Sequence, residues 1–225
     1  IDSSQPMIIS IKTSNGCIRC RRVIVTIPLG VLKAKPDMFT PQLSRPKRMA
    51  IKYLTMGNYM KVHIMFDRAF WRSDTNNGFR PFIGLVGRPH LISCFLDYQA
   101  IKGMPLLVAT AGGDLAKKLA SLSDDEILAE CMKSLRIMFP AQVESSKPSN
   151  FHVTRWDRDK YSLGAYSFTS KEASGGSHMG AMNAPEGFGR IFFAGEACSE
   201  MHQGTTHGAY ETGIASATRI HAGLT

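Results

Sequence analysis

The stretch Arg190 to Arg219, RIFFAGEACSEMHQGTTHGAYETGIASATR, constrains the fold more than any other part of this chain. Ile191, Phe192 and Phe193 form a short apolar run before Gly195, the pattern of a core strand in a parallel sheet. A carboxylate, Glu196, follows the strand, and then a loop. Thr205 or Thr206 can cap the helix that comes next. Gly208, Ala209, Gly213, Ala215, Ser216 and Ala217 keep that helix thin, so a bulky group can lie against it. A helix start carries unmet N–H groups and a partial positive charge, which suits a phosphate or a ring that becomes anionic on reduction.

Length and composition set outer limits. The chain has 225 residues, enough for one large domain or two small ones. Its 44% hydrophobic and 20% charged residues are ordinary for a globular protein, and no apolar run is long enough to predict a membrane span. Five scattered cysteines do not suggest a disulfide framework. Cys17-Ile18-Arg19-Cys20 has no second pair to complete a zinc site and reads as cysteines in a strand; no metal is expected. The net charge is +9, and Ile1 to Arg72 alone holds 13 Lys or Arg against Asp2, Asp37 and Asp67. Such a face attracts anionic partners. Without aromatic interleaving or a nucleic-acid motif, it reads as solvated surface or as a face toward a missing segment.

The chain order predicts strands at Met7–Ile11 and Val23–Ile27 around an Asn15-Gly16 turn, in which both residues tolerate positive φ. Pro28-Leu29-Gly30 breaks the pattern. Helical spacing covers Gln42 to Thr55, with Gly57 ending it. Asn58 to Asp67 alternates, with Val62, Ile64 and Phe66 on one face and Lys61, His63 and Met65 on the other. Further strands are expected at Phe82–Val86, Leu91–Leu96 and Leu106–Ala111. A short helix follows at Asp114–Leu122, and Ser123 to Glu126 is a capping box that opens a helix to about Met138, stopped by Pro140. Ser170 to Gly180 reads as a loop. Lys47 and Lys52 read as surface residues.

Several segments together resemble the flavin-containing amine oxidases, the superfamily of polyamine oxidases, lysine-specific histone demethylases, monoamine oxidases and L-amino-acid oxidases. They are FFAGEA (Phe192–Ala197), TTHGAYETG (Thr205–Gly213), VIVTIPLGVLK (Val23–Lys33), GNYMKVHIMFDRAFW (Gly57–Trp71) and FHVTRWDRDKYSLGAYSF (Phe151–Phe168). The resemblance implies an α/β and α+β fold. Its parts are the C-terminal part of a Rossmann-type FAD-binding domain and a substrate domain with a mixed sheet and flanking helices. Residues 1–31 would be strands of the FAD-binding domain, 32–154 the substrate-binding domain, and 155–225 the rest of the FAD-binding domain. No G-x-G-x-x-G occurs, and the first residue is Ile1 with no signal-peptide pattern. The expectation is therefore a chain matching only the C-terminal half of the family, with most of the pyrophosphate and adenosine sites absent.

The resemblance also assigns residues. Lys61 sits where the family carries a lysine that holds a water against flavin N5. A cation there orients water and stabilises negative charge on the flavin. By pattern alone it is a lysine on the wet face of a strand. Tyr166 matches one wall of the aromatic cage around the substrate amine, where a ring face attracts an entering cation, while Trp156 and Tyr161 match aromatics beside the isoalloxazine. Core packing is the competing reading for all three. Gly195 and Glu196 match flavin contacts at the ribityl and pyrophosphate region, although Glu196 could instead cap a helix or pair with Arg190. Thr205 and Thr206 match residues whose N–H groups meet the flavin O2 region. His207 beside them reads as a structural hydrogen-bonder.

Monoamine oxidases hold flavin through a cysteine near the aromatic cage; no cysteine lies between Phe151 and Ala197, so the resemblance implies noncovalent FAD, and Ala209 after Gly208 resembles the polyamine oxidases and histone demethylases. The function implied is oxidation of a polyamine or N-methyl-lysine amine by hydride transfer to N5, giving imine, then aldehyde, with O2 reduced to hydrogen peroxide. The partners implied are a small-molecule amine or methyl-lysine peptide, O2 and a missing N-terminal FAD-binding segment, in an intracellular compartment (cytoplasm, peroxisome or nucleus). Neither membrane nor nucleic acid is expected as a partner. Two alternatives stand beside this one: a non-catalytic, partner-completing fragment that cannot bind FAD alone, and a basic chromatin-binding module.

Overall fold

The computed structural model describes residues 1–5, 7–72, 79–87, 92–171 and 177–223. The chain packs as two units, Ile1–Gly57 with Arg158–Thr225, and Asn58–Asp157. Residues 32–57, read from the sequence as the start of the substrate-binding segment, pack in the first unit, because Leu32, Phe39, Ala50 and Leu54 share one core with Val25, Ile191 and Phe193. The divisions therefore fall after Gly57 and after Asp157.

In the first unit, β1 (Ile9–Thr13) and β2 (Gly16–Cys20) form an antiparallel hairpin. Its turn lies where expected, but among the turn residues only Gly16 takes a positive φ, of 122°. β3 (Val23–Val25) pairs in parallel with the strand Ile191–Phe193, all three of whose residues are buried. The expected break at Pro28 is instead the start of α1 (Leu29–Ala34), with Pro28 as its N-cap. Gly30 is needed there: a Cβ on it would stand 2.4 Å from the carbonyl oxygens of both Ser162 and Leu163.

α2 (Arg45–Tyr53) is capped by the Ser44 hydroxyl. It ends at Leu54 rather than Gly57, because β4 (Thr55–Gly57) leaves it to pair antiparallel with the strand Tyr166–Phe168. Lys47 of α2 is not a surface residue. It is fully buried, its Nζ donating to the carbonyls of Met182 and Ala184 at 2.6 Å each.

The second unit is a five-stranded sheet with helices. β5 (Tyr59–Phe66), β6 (Phe82–Gly84), β7 (Cys94–Asp97), β8 (Leu106–Gly112) and β9 (Pro148–Val153) lie in the order β6-β7-β8-β5-β9, with antiparallel neighbours throughout. The alternation in β5 is as read: Val62, Ile64 and Phe66 are buried, and Lys61 is exposed. That apolar face packs against α4 (Gly113–Ala120) and α5 (Asp124–Met138), which contribute Leu119, Ile127, Cys131 and Leu135 to the same core. Ser123 and Glu126 close the capping box in both directions. α3 (Tyr98–Lys102) starts on the Asp97 carboxylate, which accepts from Gln99 N–H and Ala100 N–H. Leu91, the expected first residue of one strand, lies outside the described residues.

Back in the first unit, β10 is Tyr166–Phe168 and β11 is Ile191–Phe193. Part of the expected loop at Ser170–Gly180 is helical, since α6 runs Ser177–Asn183; residues 172–176 lie outside the described residues. α7 (Thr206–Ala222) closes the unit. Among the described residues no helix is long and apolar enough to cross a membrane.

Candidate flavin and amine site

The first unit brings together Tyr166, Gly195, Glu196, Thr205 and Thr206. β11 ends in Phe193, and Gly195 then takes a φ of 127°, which a side chain would resist. Among the described residues nothing lies within 4 Å of where a Cβ on Gly195 would point, so the backbone there faces open space. Thr212 of α7 ties this turn down, its hydroxyl accepting from Gly195 N–H at 3.0 Å.

Glu196 is the joint of the site. One carboxylate oxygen accepts from Ser167 N–H at 3.0 Å; the other accepts from the Ser167 hydroxyl and from Gly204 N–H, both at 2.7 Å. It does not pair with Arg190, whose guanidinium donates to the carbonyls of Ser3, Gln5 and Gly187. Gln203 also donates to the Ser167 hydroxyl, at 3.0 Å. Strand β10 is thereby held against the residues that lead into α7. Gly204, with a φ of 74°, lets the Tyr166 ring approach: a Cβ on Gly204 would sit 3.3 Å from Tyr166 Cδ2. Thr205 is the N-cap, accepting from Gly208 N–H at 3.1 Å. Thr206 and His207 occupy the first turn, ahead of the helix's own hydrogen-bond ladder.

The aromatic residues are not core. Tyr166 is 40% exposed, Trp156 45% and Tyr161 71%, so none of the three lies in a core among the described residues. Tyr161 belongs to the first unit, whereas Trp156 and Lys61 belong to the second. Lys61 is exposed on β5, its backbone bracketed by Thr154: Lys61 N–H donates to the Thr154 hydroxyl at 2.8 Å, and Thr154 N–H donates to the Lys61 carbonyl at 2.9 Å.

Two features escaped the sequence. His63, two residues from Lys61 on the same strand face, pairs across β9 with His152, with ring centroids 6.1 Å apart. Burial, then the neighbouring His152, pushes the His63 pKa down. Only the alternation of β5 hinted at this. The second is the His202–Glu211 contact, 2.8 Å at Nδ1, with the His207 ring 4.5 Å from that of His202. Among the described residues, no three of His, Cys, Asp or Glu meet as metal ligands.

The residues fit a flavin. A carboxylate has about four lone-pair sites. Three of those on Glu196 are filled, which leaves one for a ligand hydroxyl. Beside it are the open backbone at Gly195 and the helix start at Thr206. A parallel strand that runs through a carboxylate-bearing turn into a thin helix, whose first N–H groups lie ahead of its own ladder, belongs to the cofactor-binding class of α/β scaffolds.

Comparison with known proteins places the chain within that class. Residues 1–221 match the model of the flavin-containing amine oxidoreductases, and the chain belongs to that family. Probable polyamine oxidase 4 of Arabidopsis thaliana is 37% identical over 196 residues, covering 86% of this chain and 37% of the relative. Lysine-specific histone demethylase 2 of Homo sapiens is 32% identical over 219 residues, covering 95% of this chain and 26% of the relative. In fold, the chain is similar to a putrescine oxidase variant with redesigned cofactor binding, at a TM-score of 0.78 and 19% identity, covering 96% of this chain and 46% of that one. The chain thus spans less than half the length of each of these proteins. The fold is that of the flavin amine oxidases, mixed α/β, and the cofactor of the family is FAD.

Proposed function

We propose that this chain is the C-terminal part of an FAD-dependent oxidase acting on a polyamine or an N-methyl-lysine amine. The observation that carries the reading is the Glu196 clamp, which fixes the strand bearing Tyr166 to the residues that start α7. When bound, without a covalent link, FAD supplies the hydride acceptor and, after reaction with O2, yields hydrogen peroxide. The Tyr166 ring face attracts the entering cationic amine and aligns it. The first-turn N–H groups at Thr206 and His207 offer donors where negative charge gathers. Gly195 and the remaining acceptor site on Glu196 would hold the cofactor's hydroxyl-bearing chain, with Thr205 keeping the helix start in shape and Tyr161 of the same unit offering a flat face to its ring; for Trp156, in the second unit, the family resemblance supports a like role. Lys61, set on a strand pinned by Thr154, supplies a cation that orients a water.

A second reading, a module that needs a further segment to bind FAD, is favoured by one observation. β3 and β11 form a two-stranded parallel sheet with no third strand among the described residues, whereas parallel sheets are normally larger and covered on both faces.

Anaerobic mixing tests the proposal. The protein that carries this chain, loaded with FAD, should lose its visible flavin band with spermine or with a dimethyl-lysine peptide, and form peroxide when air is admitted. The substrate that bleaches the band names the class. A stable flavin band with both amines would count against the proposal.

A further inference from the structure

A cavity of about 330 Å³ lies in the first unit between α1, α2 and the segment joining them. Its floor is apolar, built on buried Phe39 and half-buried Ile51, and its rim carries Lys33, Lys35, Arg48 and Lys52. No acidic side chain lines it. Among the described residues none of the four cations forms an ion pair. Arg48 donates only to the neutral Gln42 side chain, at 3.0 Å, and Lys33 to the Lys52 carbonyl, at 2.7 Å. Four uncompensated cations around an apolar hollow are complementary to a ligand with an anionic head and a hydrocarbon tail.

Size decides what kind of ligand. One turn of helix, about 10 Å across and 5.4 Å long, sweeps about 400 Å³, more than the cavity holds. The volume sits near the lower end of small-molecule sites, about 300–1,000 Å³. We propose that this cavity binds a medium-chain carboxylate, its tail on Phe39 and Ile51 and its head among Lys33, Arg48 and Lys52. The site is separate from the Tyr166–Glu196 cluster and does not depend on flavin chemistry.

Calorimetric titration of the chain with sodium octanoate, decanoate and dodecanoate, below their micelle concentrations, tests this. Affinity should rise about threefold to fourfold per added methylene while the tail remains inside. The double variant Arg48→Gln/Lys52→Gln, which leaves the main-chain bonds intact, should bind dodecanoate about tenfold more weakly. Ile51→Trp, which fills the hollow, should remove binding, with circular dichroism confirming that both variants are folded. The proposal is overturned if dodecylammonium binds as tightly as dodecanoate, if affinity is independent of chain length, if the double variant binds unchanged, or if no saturable heat appears.

Discussion

Lys47 offers a sharp test of how this chain is packed. Its Nζ reaches two carbonyls at 2.6 Å and lies 3.9 Å from the centre of the Phe193 ring, fully buried. Burial pushes its pKa down from 10.5 to about 8, against smaller opposing pulls from Cys198 and Glu186. A neutral amine still has two N–H donors for the two carbonyls, so releasing the proton costs neither bond. Between pH 8 and 10.5 the unfolded chain keeps a proton that the folded chain has released, so stability rises with pH across that window. With those two pKa values the gain between pH 7 and pH 9 is about 1.3 kcal/mol.

Lys47→Met removes this titration. Urea unfolding of both proteins at pH 7, 8 and 9 should show wild type gaining about 1.3 kcal/mol on the variant over that range. Cys198, whose thiol burial pushes up to about 11, is common to both proteins and largely cancels in the difference. A difference that stays flat or falls as pH rises would refute the assignment of Lys47 as a buried, charge-penalised lysine.

Four further outcomes follow from the geometry. Gly208→Ala would place a Cβ 2.2 Å from the His202 carbonyl oxygen and should destabilise by about 1–3 kcal/mol. Gly213→Ala, on the same helix with nothing within 4 Å, should stabilise by about 0.5–1 kcal/mol, both read by thermal unfolding. Glu196→Gln keeps the shape but replaces an acceptor with a donor against Ser167 or Gly204. It should cost about 1–3 kcal/mol in urea unfolding and weaken FAD binding. Ser123→Ala removes one half of the capping box and should cost about 1 kcal/mol, visible as faster hydrogen exchange in the first turn of α5.

What the sequence revealed depended on the range of the forces involved. β5, the capping box at Ser123, the parallel strand at Ile191 and the helix from Thr205–Thr206 are set by local periodicity and capping, and they stand as read. Lys47 was hidden because its partners lie 135 and 137 residues away, and a lone lysine in an amphipathic helix carries no sign of burial. The α1 start at Pro28 was obscured by Gly30, which reads as a breaker but is required by carbonyls arriving from Ser162 and Leu163. The residues of the Glu196 clamp were in view, yet their joining of β10 to α7 depends on contacts 29 residues apart. The unit boundary at Gly57 follows from a shared core that no compositional shift marks.

If the proposed function holds, the first unit presents the end of β11, Glu196 and the start of α7 to FAD. Amide hydrogen exchange of the protein, with and without saturating FAD, tests it most directly. Exchange at Thr206 and His207 should slow in the presence of FAD, with smaller protection at Gly195. FAD bound to the protein while these amides exchange at unchanged rates, with protection confined to other segments, would contradict it.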